Sequence, residues 1–304
     1  MYLSLTTRQS RINMSAALVI AGSLVTAPTS EAQQSAVQCK PAGTLQRVAE
    51  LTEGSGLAAS RRTPGRFWSH NDSGDPVLFA LDSNGRVTGR LTISGAKVED
   101  WEAVAVGPCP SGSCIYVADI GDNDAERKQV TIYRIAEPAE ATGSAKVADI
   151  FHATYPDGSH DAEALLVTSE GRLLIVTKGE SGPVSLYRFP ADLRSATTMR
   201  LERVGDPRKT ESPADKDDRI TDGAVSPDGN WIVLRSRQTL TFYRAADLLA
   251  GNWREAGRVS VAGIGEPQGE GVTFATNDAV HLMSEGGGKQ QPGAFGRLTC
   301  TLKP

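Results

Sequence analysis

The chain has none of the short motifs that mark the common redox, nucleotide-binding and serine-hydrolase classes. No Cys-x-x-Cys, Walker or Rossmann glycine pattern occurs in it. Gly54-Ser55-Gly56 is not the Gly-x-Ser-x-Gly elbow of an α/β-hydrolase, and no strand-to-helix pattern surrounds it. These absences argue against a thioredoxin-like site, a P-loop, a dinucleotide-binding fold and a nucleophilic serine.

A long hydrophobic run is also missing after residue 32. The apolar stretch Met14–Ala27 follows Arg8 and Arg11, and small residues then surround Glu31 at a cleavage-like site ending at Ala32. A run of about 14 apolar residues is shorter than the ~20 that a spanning helix needs. We therefore predict a signal peptide over residues 1–32 and export to the periplasm or the medium, with a membrane anchor as the alternative and no later membrane span.

An excess of positive charge is absent too. Without residues 1–32 the chain keeps 30 basic and 35 acidic residues, a net charge of −5. Nucleic-acid binding needs a basic surface, so we expect no nucleic-acid partner. The partners that we expect are a small anionic ligand, a glycan or another protein, bound by a monomer.

Cysteines are few but even in number, as is usual in exported proteins with disulfides. Four cysteines allow three pairings. Cys109 and Cys114 enclose four residues between two strand-like runs, which predicts a bridge across one hairpin. Cys39 and Cys300 remain, and their bridge would join the two ends of the domain.

The rest of the chain is built from an internal repeat. No convincing long amphipathic helix is present, and short runs of Val, Ile, Leu, Thr, Tyr and Phe alternate with Gly, Asp, Asn and Pro. One unit of strand-like runs recurs five times, and its first run always places a polar residue before Gly or Ala and an apolar stretch. These first runs are SGLAAS (55–60), EAVAVG (102–107), EALLVT (163–168), DGAVSP (222–227) and EGVTFA (270–275).

The repeat is offset at its ends. Four units have a fourth run, the fifth unit lacks one, and an extra run, Thr44–Leu51, precedes the first unit. This arrangement predicts an all-β fold, a five-bladed β-propeller of four-stranded blades that the N-terminal strand closes, as one domain over residues 33–304. Six blades are the alternative; a β-sandwich explains neither the matched first runs nor the split unit.

The repeat also brings acidic residues together, because the first strand of each blade lines the central channel of a propeller. The expected ring is Ser55, Glu102, Glu163, Asp222 and Glu270. Carboxylates so close would repel one another at low dielectric. Oxygen ligands without His or Cys suit a hard cation, so we predict Ca²⁺ in the channel. The alternative is that these acids cap strand ends in a wet channel.

The same segments resemble a known family. The motifs GSGL (54–57), DWEAVAV (100–106), HDAEAL (160–165) and GEGVTF (269–274) resemble those of calcium-activated nucleotidases (apyrases), five-bladed propellers that hydrolyse nucleoside di- and triphosphates. The resemblance implies calcium ligands at Ser55, Glu102, Glu163 and Glu270; the fourth blade has Thr221-Asp222-Gly223 where the family uses serines. HNDSGD (70–75) and DIGDN (119–123) look like motifs of secreted bacterial propellers.

Two functions follow as hypotheses. The first is a secreted ligand- or partner-binding module with a central calcium site. The alternative is a calcium-dependent hydrolase of phosphate esters or anhydrides, in which Glu163 or Asp161 orients water and a base such as Lys178 or Arg235 stabilises the phosphoryl charge.

Overall fold

The computed structural model describes residues 1–5, 36–110, 112–180, 182–206, 214–288 and 290–303. The chain divides into Met1–Gln34 and Ser35–Pro304. In the first unit residues 1–5 have no regular secondary structure, and the predicted signal peptide otherwise lies outside the described residues. Among the residues described, no helix is long and apolar enough to cross a membrane.

The second unit is a five-bladed β-propeller, as predicted, and its sheets are named here blades one to five. Two short strands come first, β1 (Val37–Pro41) and β2 (Gln46–Val48). Blade one contains β3 (Gly54–Ala59), β4 (Phe67–Asn71), β5 (Val77–Leu81) and β6 (Val87–Ser94). The segment of blade two contains β7 (Trp101–Cys109), β8 (Gly112–Asp119), β9 (Val130–Ala136), β10 (Gly143–Lys146) and β11 (Asp149–Thr154).

The remaining blades follow in chain order. The segment of blade three contains β12 (Ala162–Val167), β13 (Leu173–Thr177), β14 (Leu186–Arg188), β15 (Thr198–Arg200) and β16 (Glu202–Gly205). Blade four contains β17 (Ile220–Val225), β18 (Trp231–Ser236), β19 (Thr239–Arg244), a short helix α1 (Ala245–Leu249) and β20 (Glu255–Ser260). A 3₁₀ turn (Ala262–Ile264) leads to blade five with β21 (Gln268–Thr276), β22 (Ala279–Glu285) and β23 (Gly293–Leu302).

The first strand of each blade faces the centre. Strand β3 contacts β7, β7 contacts β12, β12 contacts β17, β17 contacts β21, and β21 returns to β3. These five inner strands therefore form a closed ring, and the starts of all five meet at one mouth of the channel.

The core lies between blades rather than in one centre. Five clusters of buried apolar side chains each join two neighbouring blades. Trp68, for example, packs with Val117 between blades one and two, and Phe242 packs with Phe274 between blades four and five. Burial of one such side chain contributes about 1.5–3 kcal/mol, so these layers hold the inner strands in place.

The propeller closes at blade five, but the closing edge is longer than the predicted Thr44–Leu51. Strand β1 pairs with Leu298–Leu302 of β23, and β2 pairs with Gly293–Phe295 of the same strand. Pro41 has no N–H to donate, and the ladder breaks there. The prediction of an N-terminal closing strand is confirmed, with its start corrected to Val37.

Two blades gain a fifth, parallel strand from the segment of the next blade. Strand β10 pairs with β6, and β15 pairs with β11. The sequence suggests one continuous fourth strand for blade three over Met199–Asp206; instead, Leu201 turns into the core and its N–H donates to Thr154 O at 2.9 Å. The chain therefore pairs with blade two before Leu201 and with blade three after it.

Both predicted disulfides are present. Cys39 and Cys300 lie opposite each other on β1 and β23, and Cys109–Cys114 bridges the β7–β8 hairpin. Such bonds form and persist in oxidising compartments. The two bridges indicate an environment outside the reducing cytoplasm.

Candidate functional site

The five inner strands share one local irregularity near their starts. Each shifts register against the second strand of its blade, and the positions inside these shifts include Ser55, Glu102, Glu163, Thr221 and Glu270, with Gly56 and Gly271 beside the first and the last of them. A β-bulge re-aims the extra side chain away from the normal alternation. The bulges turn these five residues towards the channel.

All five bulge residues line one polar cavity of about 250 Å³ at this mouth of the channel. Eight carboxylic residues line it altogether, five on or directly before the inner strands and three at or just after the ends of the second strands. The full lining comprises Glu53, Gly54, Ser55, Asp72, Asp100, Glu102, Asn123, Glu163, Lys178, Glu180, Lys216, Arg219, Thr221, Arg237, Gln268, Glu270 and Glu285.

In blade four the residue on the cavity is Thr221, next to the predicted Asp222. The Asp222 carboxylate accepts hydrogen bonds from Gly223 N and Val272 N, both at 2.7 Å, and from the backbone of Leu57. Asp222 thus ties blade four to blades five and one. Burial raises its pKa, and these hydrogen bonds oppose the rise.

The carboxyl groups of Glu102 and Glu163 form a buried pair. Ser55 Oγ donates to Glu102 Oε2 at 3.0 Å, and the two carboxyl groups are hydrogen-bonded to each other. Burial and the charge of Glu163 raise the pKa of Glu102 well above its usual value, and burial raises that of Glu163 to about 7. The raised pKa values favour the neutral carboxyl form among these crowded acids, as expected for carboxylates in low dielectric.

Glu270 has a similar arrangement on the opposite side. Gln268 Nε2 donates to Glu270 Oε1 at 2.9 Å, and the Glu270 carboxyl group is hydrogen-bonded to Glu285. Burial and the charges of Glu163 and Glu285 raise the pKa of Glu270 well above its usual value.

Lys178, which directly follows the second strand of blade three, places a positive charge beside these acids. Its Nζ lies 2.6 Å from Glu163 Oε1, 3.1 Å from Asp161 Oδ2 and 3.6 Å from Glu180 Oε2. Burial opposes its charge, but Glu163 and Asp161 raise the pKa of Lys178 above its usual value. The lysine is therefore a built-in cation for the acids of blade three.

The other predicted catalytic residues lie in different places. Asp161 is buried beside Lys178 and accepts from Asp122 N at 2.8 Å. Arg235 is wholly buried outside the cavity lining; it donates to Gly271 O at 2.6 Å and pairs with Glu266 at 2.6 Å. The cation that faces the cavity from blade four is Arg237, which makes no hydrogen bond or ion pair with another described residue.

Two loop motifs build the walls of the cavity. Asp72 of HNDSGD lines it, and burial together with the charge of Glu53 raises the Asp72 pKa to about 6. Gly121 of DIGDN lies so close to Asp100 and Glu102 that a Cβ atom there would come within 2.4 Å of the Asp100 carboxylate. Asp119 accepts from the backbone N–H of Glu99 and Asp100 and pairs with Arg127 at 2.8 Å; its role is to hold the loop that carries Asp100.

The five bulge residues offer the kind of ligand atoms that a hard cation prefers. Their oxygen atoms are not, however, spaced for coordination of one ion. Three glutamates and two hydroxyl residues supply oxygen only. Within the described residues, no group of three or more His, Cys, Asp or Glu is already arranged to hold a metal ion. Binding would require the hydrogen-bonded carboxyl pairs to give up their protons and draw together.

Comparisons with known proteins establish the fold alone. No family model matches the chain, and no curated protein matches it. A solved structure, the PQQ-bound form of aldose sugar dehydrogenase from Streptomyces coelicolor, is similar with a TM-score of 0.52 and 12% identity over 87% of this chain and 98% of that one. Virginiamycin B lyase from Staphylococcus aureus has a TM-score of 0.39 and 11% identity over 81% of this chain and 67% of that one. At this identity the first likeness supports the propeller, and the second carries no argument.

Proposed function

We propose that this propeller is a binding module whose polar cavity takes up Ca²⁺ and, through it, an anionic ligand. The observation that carries the proposal is the convergence of the five bulge residues on one cavity. Ser55, Glu102, Glu163, Thr221 and Glu270 come from five different blades and present only oxygen atoms. These residues would hold the ion, and the ion would supply positive charge that attracts an anion.

The rim of the cavity favours an anion as the second component. Lys216, Arg219 and Arg237 line it from blade four and the segment before it. Arg219 is paired with Glu180, whereas Arg237 has no such partner among the described residues. A guanidinium beside a bound cation suits a carboxylate or phosphate group.

Calcium binding is tested by isothermal titration of EDTA-treated protein with CaCl₂ and MgCl₂, together with metal analysis of protein purified without chelator. We expect E102Q and E270Q to weaken Ca²⁺ binding about tenfold or more, and T221V to weaken it less, because each change removes an oxygen ligand.

The matched control is D75N, which removes an acid of the HNDSGD motif that does not line the cavity. It is expected to leave the affinity unchanged. Absence of bound metal, with no heat of binding and no change in melting temperature on adding Ca²⁺, would refute the proposal.

A hydrolase of phosphate esters or anhydrides is the second candidate, favoured by the Lys178–Glu163 ion pair on the cavity wall and by Asp161, buried behind it against Lys178. In this version Glu163 or Asp161 orients water, and Lys178 and Arg237 stabilise charge on the phosphoryl group. The assay measures phosphate release from ATP, ADP, phytate and p-nitrophenyl phosphate in the presence of Ca²⁺. Turnover that E163A abolishes without unfolding the protein supports the enzyme; Ca²⁺ binding without turnover favours the binding module.

A further inference from the structure

A second cavity, of about 540 Å³, opens at the far ends of the inner strands. The lining begins two positions after the ring of acids, as at Val104 after Glu102, and continues to Val106; strand geometry places these residues about 7–13 Å along the inner strands from the acids. The Asp222 carboxylate, bound to the backbone of Val272 and Leu57, lies at the level between the two cavities. The second cavity is therefore a different site, and a ligand bound in it does not depend on calcium in the acidic cavity.

The inner strands give the second cavity apolar side chains, and a few hydroxyl groups line it beside them. All five inner strands contribute, with side chains such as Leu57, Val106, Leu165, Val225 and Phe274. A cavity of this size that combines apolar side chains with polar groups at defined places is typical of small-molecule sites. Its wall chemistry suits a hydrocarbon body.

The charged side chains among the described lining residues of the second cavity are positive. Arg61 and Arg66 line the opening, and no Asp or Glu is among the described lining residues. Arg66 donates to Ala139 O at 2.7 Å and lies 5.6 Å from the centre of the Trp68 ring. Arg61 makes no hydrogen bond or ion pair with another described residue, so its guanidinium is free for a ligand.

Glu137, the acid whose charge acts on Arg61, already accepts hydrogen bonds from other groups. The charge of Glu137 acts on Arg61, but Glu137 is buried outside the lining. Its oxygens accept from Arg62 N, Trp68 Nε1 and Ser113 Oγ at 3.2, 3.2 and 2.6 Å. Arg61 is therefore the cation of the opening that can pair with a bound anion.

One polar group lies deeper in the wall. His281 is more than nine-tenths buried, its ring stacks 4.4 Å from Phe67 and 5.3 Å from Phe295, and its Nδ1 has no hydrogen-bond partner among the described residues. It adds no negative charge to the cavity.

We propose that this second cavity binds a medium-chain fatty carboxylate, with the alkyl chain against the inner strands and the carboxylate at Arg61. An apolar body matches the walls, and a single negative charge matches an opening that has arginines and, among the described residues, no acid. The neutral alcohol and the quaternary ammonium of the same chain length should bind much more weakly, because neither can pair with the guanidinium.

The test is isothermal titration of the full chain with decanoate, decanol and decyltrimethylammonium, each below its micelle concentration. R61E is expected to weaken decanoate binding about tenfold or more. R62E is the matched control, because Arg62 is the adjacent exposed arginine and does not line the cavity. A105W, which fills the cavity from β7, should abolish binding.

Saturable 1:1 binding of decanoate that R61E weakens and R62E does not supports the site. The same binding in E163Q as in the wild type would show that it is independent of the acidic cavity. No binding of decanoate, equal binding to R61E, or equally tight binding of decanol would overturn the proposal. Because Arg61 is exposed, we expect R61E to fold like the wild type. The R61E result therefore tests the proposal even if A105W does not fold.

Discussion

The Lys178 ammonium group supplies positive charge to the acidic cavity, in which we propose that a metal ion binds. It contacts Glu163 and Asp161 at 2.6 and 3.1 Å, and the side chain is only 19% exposed. Removing one partner of a buried ion pair leaves an uncompensated charge, which is more harmful than never having had the pair. Lys178 and a bound cation should therefore act on the same carboxylates.

The change K178M tests this relation. We expect the free energy of unfolding in EDTA to fall by about 3 kcal/mol, since Glu163 and Asp161 lose their shared cation, and added Ca²⁺ to recover part of that loss. Urea unfolding with and without Ca²⁺ measures both effects. K216M, which removes an exposed lysine of the same cavity, is the control; equal stability of K178M and the wild type would show that the ammonium group is dispensable.

His281 is a second residue whose environment fixes its protonation. Burial and the neighbouring charge of Arg297 lower its pKa to about 4, and burial lowers the pKa of His70 to a similar value. Because the folded-state pKa lies below the unfolded value of about 6.5, the folded protein prefers neutral imidazoles. The stability that these groups supply is present above pH 6.5 and is lost as the pH falls towards 4.

The substitution H281F should flatten this pH dependence. Phenylalanine retains the ring contacts with Phe67 and Phe295 but cannot take up a proton, so the loss of unfolding free energy that His281 causes between pH 6.5 and 4 is removed. His70 keeps its own contribution, and carboxyl groups with a raised pKa, such as Glu163, act in the opposite direction. Denaturant unfolding of H281F and the wild type at several pH values gives the two slopes; an unchanged slope in H281F would contradict the assigned burial effect.

At the scale of the element, the bulge is the device that builds the acidic cavity. A regular strand would alternate its side chains between its two faces, whereas the register shift at the start of each inner strand turns one side chain into the channel. Gly56, in the bulge of β3, allows the close approach of two blades, because a Cβ atom there would lie 2.5 Å from Val104 N and 2.9 Å from His70 Nε2.

Replacement of Gly56 by alanine should therefore push β3 away from β7. We expect a loss of about 2 kcal/mol in unfolding free energy from overpacking and weaker Ca²⁺ binding, because Ser55 and Glu102 would separate. Thermal melting and calcium titration measure the two effects. G263A is the control, since a Cβ atom at Gly263 meets nothing within 4 Å; equal behaviour of the two variants would mean that the strands can move apart without cost.

Much of this architecture is predictable from the repeated runs, which carry both the blade number and the start of each inner strand. The extra residue of a bulge leaves no mark in the apolar pattern, so aligning the acids selects Asp222 in blade four, whereas the structure places Thr221 on the cavity. The sequence gives no reason to choose between Arg235 and Arg237 as the arginine that faces the cavity. The structure pairs Arg235 with Glu266 and leaves Arg237 in the lining. The pairing of β15 with blade two depends on a turn at Leu201 that no local motif signals.

At the scale of the whole molecule, apolar layers between neighbouring blades stabilise the propeller. The ring is closed at one place, called the seam here, where β1 and β2 pair with β23. Blade five joins β23 to β1 and β2, and Cys39–Cys300 lies in that seam with a sequence separation of 261. Cys109–Cys114 spans only 5 positions within one hairpin. In the chain-entropy model, the longer loop gives the larger stabilisation.

Removal of the seam disulfide should accordingly cost more than removal of the hairpin disulfide. We expect C39S/C300S to lose roughly 5 kcal/mol of unfolding free energy and C109S/C114S about 2 kcal/mol. Chemical denaturation of the two double variants, each compared with wild type, measures the difference. If both lost the same amount, the seam would be held by its strand pairing rather than by the covalent bond.

The closure also sets an order of events during synthesis. Strand β1 leaves the ribosome first, but its partner β23 follows about 250 residues later, which at 5–20 residues per second is roughly 10–50 s. Throughout that interval Cys39 has no native partner, while Cys109 and Cys114 are the next thiols to be made. Once the chain is in an oxidising compartment, their bridge closes a short hairpin and needs no distant strand, so we expect it to form first, which removes both competing thiols and keeps Cys39 available for Cys300.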